Sequence, residues 1–292
     1  MPHPHPLTRR QALRTAALGA LALPLLNTRS FAADQPAAPT GGDREHGLRL
    51  GIASYSTRMM SLDESIATVK ALRISNLALF RAHCAWETAS VDECRAVGEK
   101  LKAAGLALTG SGVVNLPNDE AKVRKAFENV RAAGMAVMVC KPEPAALPLV
   151  EKFVKEFDQK LAIHNHGPED KVFPSPDHVW EAIKSFDARI GFCIDVGHTA
   201  RSGANPAAVL RKYAARLYDV HLKDTVAIAG ATKDIPVEIG AGRLDIRAML
   251  RALLDINYAG VVSFEYEKPT GNPVTGLAES LGYVRGMLAA MA

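Results

Sequence analysis

Aromatic residues are scarce: Phe, Tyr and Trp together make up 6% of the 292 residues. A surface that stacks on nucleobases needs such rings at short intervals, so their scarcity argues against a base-stacking platform. A basic block is missing as well. Lysine and arginine are spread along the chain and the formal net charge is only +4, which fits solubility rather than a nucleic-acid surface. The four cysteines, Cys84, Cys94, Cys140 and Cys193, form no CxxC pair, which argues against a zinc ribbon. Cys84 and Cys94 have the spacing to bridge in an oxidising compartment, and small core residues are the commoner reading of all four. No GxGxxG follows the first strand-like run, which weakens a dinucleotide-binding open sheet. The apolar run near the N-terminus is too short for a comfortable membrane span.

That short run has another reading. Thr8-Arg9-Arg10-Gln11-Ala12-Leu13-Arg14 precedes an Ala/Leu stretch through Leu26, followed by Ser30-Phe31-Ala32. A charged segment, an apolar segment and a small-x-small cleavage site make a signal peptide over residues 1–33. The paired arginines resemble a twin-arginine export signal, with Ala12 where a bulky apolar residue is usual. The expected location is periplasmic or secreted, with no membrane attachment after signal removal. Residues 34–47, rich in Ala, Pro and Gly, read as a linker.

From residue 48 the chain alternates. Strand-like runs fall at 48–55, 75–80, 106–113, 135–140, 160–165, 190–195, 217–222 and 260–265. Helical stretches fall between them, near 61–72, 90–104, 118–133, 147–157, 177–186, 206–215, 245–256 and 277–290. Ser61-Leu-Asp-Glu64 and Asn118-Asp-Glu are capping signals. Gly105 and Gly134 sit where left-handed helix C-caps want glycine. Hydrophobic residues make up 48% of the chain, ample for one large core. Eight strand–helix units predict an α/β fold, a single-domain (β/α)8 TIM barrel over residues 48–292.

In such a barrel, catalytic groups come from the C-terminal ends of strands and the loops that follow. The fifth run ends LAIHNHG, with His164 and His166. The sixth ends CIDVGH, with Asp195 and then His198. The seventh, LYDVHLKD, carries His221, Lys223 and Asp224, with Asp219 deeper on the same parity. The eighth, VVSFEYE, carries Glu265 and Glu267. Strand side chains alternate, so His164 and His166 share a face, roughly 6.5–7 Å apart. The same holds for His221 with Lys223 and for Glu265 with Glu267. If these faces point into the barrel mouth, a nitrogen and oxygen donor set converges that suits Mn²⁺, Co²⁺, Zn²⁺ or Fe²⁺. Each residue also has an ordinary role: a strand histidine as a satisfied polar group, His198 as part of a helix cap, Lys223 as an ion-pair partner. Near the early strand ends, Lys141 and His83 are candidate substrate contacts, and Tyr55 and Glu87 read equally as loop surface. The amides of Gly240-Ala-Gly242-Arg243-Leu-Asp245 have the pattern of an anion site. A glycine turn with Asp245 as N-cap explains that segment as well.

Residues 48–290 resemble the xylose isomerase-like barrel superfamily of sugar phosphate isomerases and epimerases. IDVGH, DVHLKD, GAGRLD and SFEYE carry the resemblance, in that order and spacing. It implies one divalent metal, Mn²⁺ foremost, at the barrel mouth. Carried over, the ligands fall on His164, Asp195, His221 and Glu265, the first Glu of the EYE-like string. Tagatose-type epimerases have Glu where this chain has His164, and there two carboxylates work on opposite faces of the substrate. Here only the strand-eight carboxylate remains, which weighs against a two-Glu epimerisation. Imidazole is an equally good ligand, and His166 is left as a second ligand or base. Secreted relatives with an HNH string resemble enzymes of oxidised sugars, including 3-keto-glycosides.

The expectation is a metal-dependent isomerase or epimerase working on an unphosphorylated keto-sugar or 3-keto-glycoside through an enediolate. The metal polarises the carbonyl, Glu265 or His166 is the base, and Lys223 stabilises the oxyanion. His198, Glu267, Lys141 and His83 contact the substrate. The partner is a small carbohydrate and not nucleic acid, and the resemblance allows a homodimer. The alternatives are a lyase that cleaves keto-glycosides by β-elimination, an endonuclease IV-type enzyme, and a non-catalytic sugar-binding barrel.

Overall fold

The structure, a computed structural model, describes residues 44–227, 234–268 and 272–292. The expected export signal and all but the last residues of the linker lie outside these residues. The barrel strands are β1 (Leu48–Ala53), β2 (Asn76–Leu79), β3 (Ala107–Ser111), β4 (Val137–Pro142), β5 (Lys160–His164), β6 (Ile190–Asp195), β7 (Leu217–Leu222) and β8 (Val261–Phe264). The helices are α1 (Leu62–Ala71), α2 (Val91–Ala103), α3 (Glu120–Ala132), α4 (Leu147–Phe157), α5 (Pro176–Ile183), α6 (Val196–Arg201), α7 (Pro206–Lys212), α8 (Ile246–Asp255) and α9 (Val274–Met291). Pairing is parallel and runs β3–β2–β1–β8–β7–β6–β5–β4. Among the described residues no helix is long and apolar enough to cross a membrane.

The ring closes through a broken third strand. The expected run 106–113 stops at Ser111, and a second piece, Val114–Leu116, pairs with β4 instead of β2. Ser111 bridges the break. Its Oγ donates to Val139 O at 3.0 Å and accepts from Val139 N at 2.9 Å, replacing the missing ladder bonds. At Gly112 a Cβ would lie 2.7 Å from Phe80 Cα, so only glycine lets the chain cross there.

Local signals explain most helix starts. Ser61 and Glu64 form the expected capping box, and Ser90 with Glu93 forms a second. The cap of α3 is Asp119, whose carboxylate accepts from Lys122 N at 3.1 Å, one residue later than Asn118 suggested. Gly105 and Gly134 have φ of +76° and +74°, as C-cap glycines should. Two expectations change. The helix expected at 206–215 ends at Lys212, and α6 precedes it as an extra short helix. Arg44–Glu45, expected in the linker, pair antiparallel with Arg49 and Leu48 across a tight turn.

Two apolar layers form the core. The outer one, between strands and helices, holds the large side chains, including Phe127, Phe153, Phe192 and Phe264. Burying each contributes about 2 kcal/mol. Inside the barrel the apolar cluster is small: Val139, Ala162 and Cys193, flanked by Val113, Val137 and Tyr218. Above it, the inward positions of β5 to β8 turn polar, and that layer is the site.

Candidate metal centre and active site

Four side chains come together at the strand ends. His164 ends β5, Asp195 ends β6, His221 lies one residue before the end of β7, and Glu265 follows β8. In the ladders His164 faces Cys193, Asp195 faces His221, and Ser263 faces His221, so the strand ends are level. One donor atom from each of the four lies within 4.8 Å of every other. His164 Nε2 is 3.0 Å from His221 Nδ1 and 3.5 Å from Asp195 Oδ2, and His221 Nδ1 is 3.2 Å from Glu265 Oε2. Donors about 2.1 Å from one cation are separated by roughly 3.0 Å in an octahedron and 3.4 Å in a tetrahedron. The set therefore fits a divalent ion, with two imidazoles and two carboxylates.

Buried supports hold these groups. Asn165, between the two histidines of LAIHNHG, points to the other side of the strand. Its Oδ1 accepts from Asp195 N at 3.0 Å, and its Nδ2 donates to Asp195 O at 3.3 Å and Thr199 Oγ1 at 3.2 Å. It ties the end of β5 to the end of β6. Asp195 also caps α6: Oδ1 accepts from His198 N at 2.8 Å, leaving Oδ2 for the cluster. Beneath His221 lies Asp219, its Oδ2 3.4 Å from His221 Nε2 and 3.6 Å from Cys193 Sγ, with Ser263 Oγ donating to Oδ1 at 3.3 Å. Asp219 thus stands where a carboxylate orients a ligating imidazole.

Lys223 faces the same oxygens. Its Nζ is 2.7 Å from Asp195 Oδ2, 2.7 Å from Glu265 Oε2 and 2.9 Å from Glu267 Oε1. Burial opposes charge on these groups, yet mutual attraction prevails. His198, Lys223 and His164 hold the Asp195 carboxyl well below its usual range, and His221 and Lys223 do the same for Glu265. Burial raises Glu267 despite Lys223. Lys223 and His221 are pushed up, Lys223 by Asp195, Glu265 and Glu267, His221 by Cys193 and Glu265. A ligating imidazole must give up that extra proton, so metal binding here would release protons. Burial drives His166 down to about 3, reinforced by His164 and His198. Burial drives His198 down to about 4, opposed in part by Asp195. Both rings are neutral near pH 7.

The cluster opens into a cavity of about 510 Å³. His164, His166, His198, His221, Glu265 and Glu267, from β5–β8 and the segments after them, line it together with Tyr55, Phe80, Arg81, Asn115 and Lys141 from the earlier half. Tyr55 and Phe80 meet edge to face with ring centroids 4.9 Å apart. Neither signal was strong in the sequence, because a tyrosine and a phenylalanine after early strands read equally well as loop surface or core. Lys141 pairs with Asp170 at the rim. Of the expected substrate contacts, His83 is corrected. Its Nδ1 is 2.8 Å from Ser54 Oγ, and its Nε2 is 3.0 Å from Met60 O and 3.1 Å from Ser65 Oγ. The ring is buried behind the cavity wall and braces Ser54. The glycine segment also resolves: its amides do hold an anion, and the anion is Asp224. Gly240 N and Gly242 N each donate to Asp224 Oδ2 at 3.0 Å, and Leu244 N donates to Oδ1 at 3.1 Å. Asp245 caps α8, accepting from Ala248 N at 2.9 Å. Cys84 and Cys94 are buried free thiols with sulfurs 3.7 Å apart.

Known proteins agree with this architecture. An inosose dehydratase of Clostridium beijerinckii is 30% identical over 150 residues, 46% of this chain and 50% of that protein. The chain spans about half the length of the curated relatives it matches. Among solved structures, the IOLI protein with a bound zinc atom has a TM-score of 0.67 at 15% identity, covering 83% of this chain and 99% of that one. The Escherichia coli 3-keto-D-glucoside 4-epimerase YcjR has a TM-score of 0.63 at 15% identity, covering 82% and 99%. Residues 146–287 match the model of the xylose isomerase-like TIM barrel family, and the chain folds as a TIM barrel.

Proposed function

We propose that this chain is a divalent-metal-dependent enzyme that removes a proton next to the carbonyl of an unphosphorylated keto-sugar or 3-keto-glycoside, and returns it as an isomerase or epimerase does. One observation carries the reading: four buried donors lie within 4.8 Å, from four successive strand ends, a buried ammonium sits against their carboxylates, and three of the donors, His164, His221 and Glu265, line an open cavity. His164, Asp195, His221 and Glu265 would hold the ion, Mn²⁺ foremost. When bound, the ion supplies Lewis acidity toward the carbonyl oxygen. Lys223 donates to the oxyanion that develops as the carbon-bound proton leaves. His166, neutral and lining the cavity, accepts that proton, with Glu265 as the alternative base. The electron pair of the C–H bond forms a new carbon–carbon double bond and the carbonyl π pair moves to the oxygen, giving an enediolate. Reprotonation of the same or the neighbouring carbon completes epimerisation or isomerisation. Tyr55 and Phe80 offer apolar surface to the sugar ring. Export, on the segment from Arg9 to Ala32, fits a substrate without phosphate.

A second reading, elimination, has its own support. The matching C. beijerinckii relative is by name a dehydratase. His164 also stands in place of a second carboxylate, so a base is easier to find on one face than on both. In that case the enediolate expels a β-leaving group. Proton NMR in D₂O, on Mn²⁺-loaded protein lacking residues 1–33 with a 3-keto-glucoside, separates the two. Loss of the signal next to the carbonyl, with the glycoside intact, is the expected result. Release of the aglycone with a vinylic signal would replace it with elimination. An unchanged spectrum would sink both for this substrate.

A further inference from the structure

His198 and Arg201 lie three residues apart in and at the end of α6, and the chain makes room for them to meet. Arg201 Nη1 is 3.1 Å from His198 Nδ1. A guanidinium has donors and no acceptor, so Nδ1 accepts, and in a neutral imidazole the proton then sits on Nε2. Arg201 is itself anchored, because its Nη2 donates to Glu169. Gly167, the last residue of LAIHNHG, completes the arrangement. Its φ is +88°, and a Cβ there would lie 3.0 Å from Arg201 Nη1 and 3.3 Å from His198 Nδ1. Glycine at 167 thus meets two needs, a left-handed backbone and a close approach. Among the described residues Nε2 of His198 has no hydrogen-bond partner, while its ring lines the cavity of the donor cluster.

We propose that Arg201 is a positioning residue that locks His198 in the Nε2–H tautomer, so that the ring presents one directed N–H to an oxygen of the bound sugar. The sugar oxygen rests on the function proposed above; the tautomer does not. A histidine without this lock would spend part of its time with a lone pair on Nε2 and would then repel the same oxygen.

The test is long-range ¹H–¹⁵N correlation of the histidine side chains in the full chain loaded with diamagnetic Zn²⁺. The His198 signals are assigned by their loss in His198→Gln. The expected wild-type pattern is a protonated Nε2 and an unprotonated Nδ1. In Arg201→Met the two nitrogens should move toward averaged shifts, zinc content should hold, and kcat/KM should fall about tenfold, the worth of one hydrogen bond. If Arg201→Met does not fold, Arg201→Leu, which likewise offers no donor, serves in its place. A wild type protonated on Nδ1, or an Arg201 variant with the wild-type pattern, would overturn the proposal. The expected tautomer in a protein that turns over no keto-sugar would uphold the positioning and remove the sugar from it.

Discussion

Strands β5–β8 and β1–β4 face one cavity with unlike chemistry. The later strands and the segments after them bring four histidines, two glutamates and an aspartate to their ends, around Lys223. The earlier ones bring Ser54, Tyr55, Phe80, Arg81 and Lys141. The family match, over residues 146–287, takes in β5–β8 and none of β1–β4. A donor cluster tolerates little change, because ligand atoms must stay within tenths of an ångström of their places. A wall that touches the substrate by shape can vary as the substrate varies. On the function proposed above, the chemical step belongs to the later half of the barrel and the choice of substrate to the earlier half.

Substitutions can break that division. The largest effect is expected for Glu265→Gln: it should lower the rate of proton exchange in D₂O by about a thousandfold, as loss of a ligand and neighbouring charge would. A loss below tenfold would contradict the assignment. Tyr55→Ala, on the opposite wall, should raise KM about tenfold and leave metal content unchanged. A change in metal content would blur the two halves. Asp224→Asn tests a part of the later half that serves folding. It removes charge from an anion that accepts four backbone amides, from Thr225, Gly240, Gly242 and Leu244. The unfolding free energy should drop by about 2 kcal/mol, read from denaturant curves. The smallest effect concerns Glu238, which accepts from Tyr266 Oη at 2.6 Å and pairs with Lys268. Those two hydrogen bonds lower its pKa from 4.5 to about 2. A depressed folded pKa means stability that is full above pH 4.5 and lost as pH falls toward 2. Glu238→Gln should flatten the melting temperature across that window, lying slightly below wild type at pH 7 and converging with it near pH 2.

Much of this was legible in the chain. The βα rhythm and the capping boxes located the barrel elements to within a few residues, because strand parity and helix caps are local. The cluster of four donors was legible partly for the same reason: His164, Asp195, His221 and Glu265 all sit at strand ends, which a barrel must bring level, and the family resemblance singled them out from their neighbours. What was not legible depends on contacts between distant segments. His83 looked like a mouth residue by its position after β2, and the ring turned out to be consumed by Ser54, Met60 and Ser65. The glycine segment announced an anion site without saying that Asp224 fills it. Asp219 had the right parity and no evident purpose until the distance to His221 Nε2 was known. Gly167 and Arg201 carried no signal of their own, since only the fold brings them against His198.

The claim that the later half holds a metal is tested most directly by titrating metal-stripped protein with Mn²⁺ or Zn²⁺ in a calorimeter, wild type beside His221→Ala. The account predicts one tight site per chain in the wild type, with protons released on binding, and at least a hundredfold weaker binding in the variant, about 2.7 kcal/mol at about 1.36 kcal/mol per tenfold. Equal affinity in the two proteins, or no binding by the wild type, would contradict it.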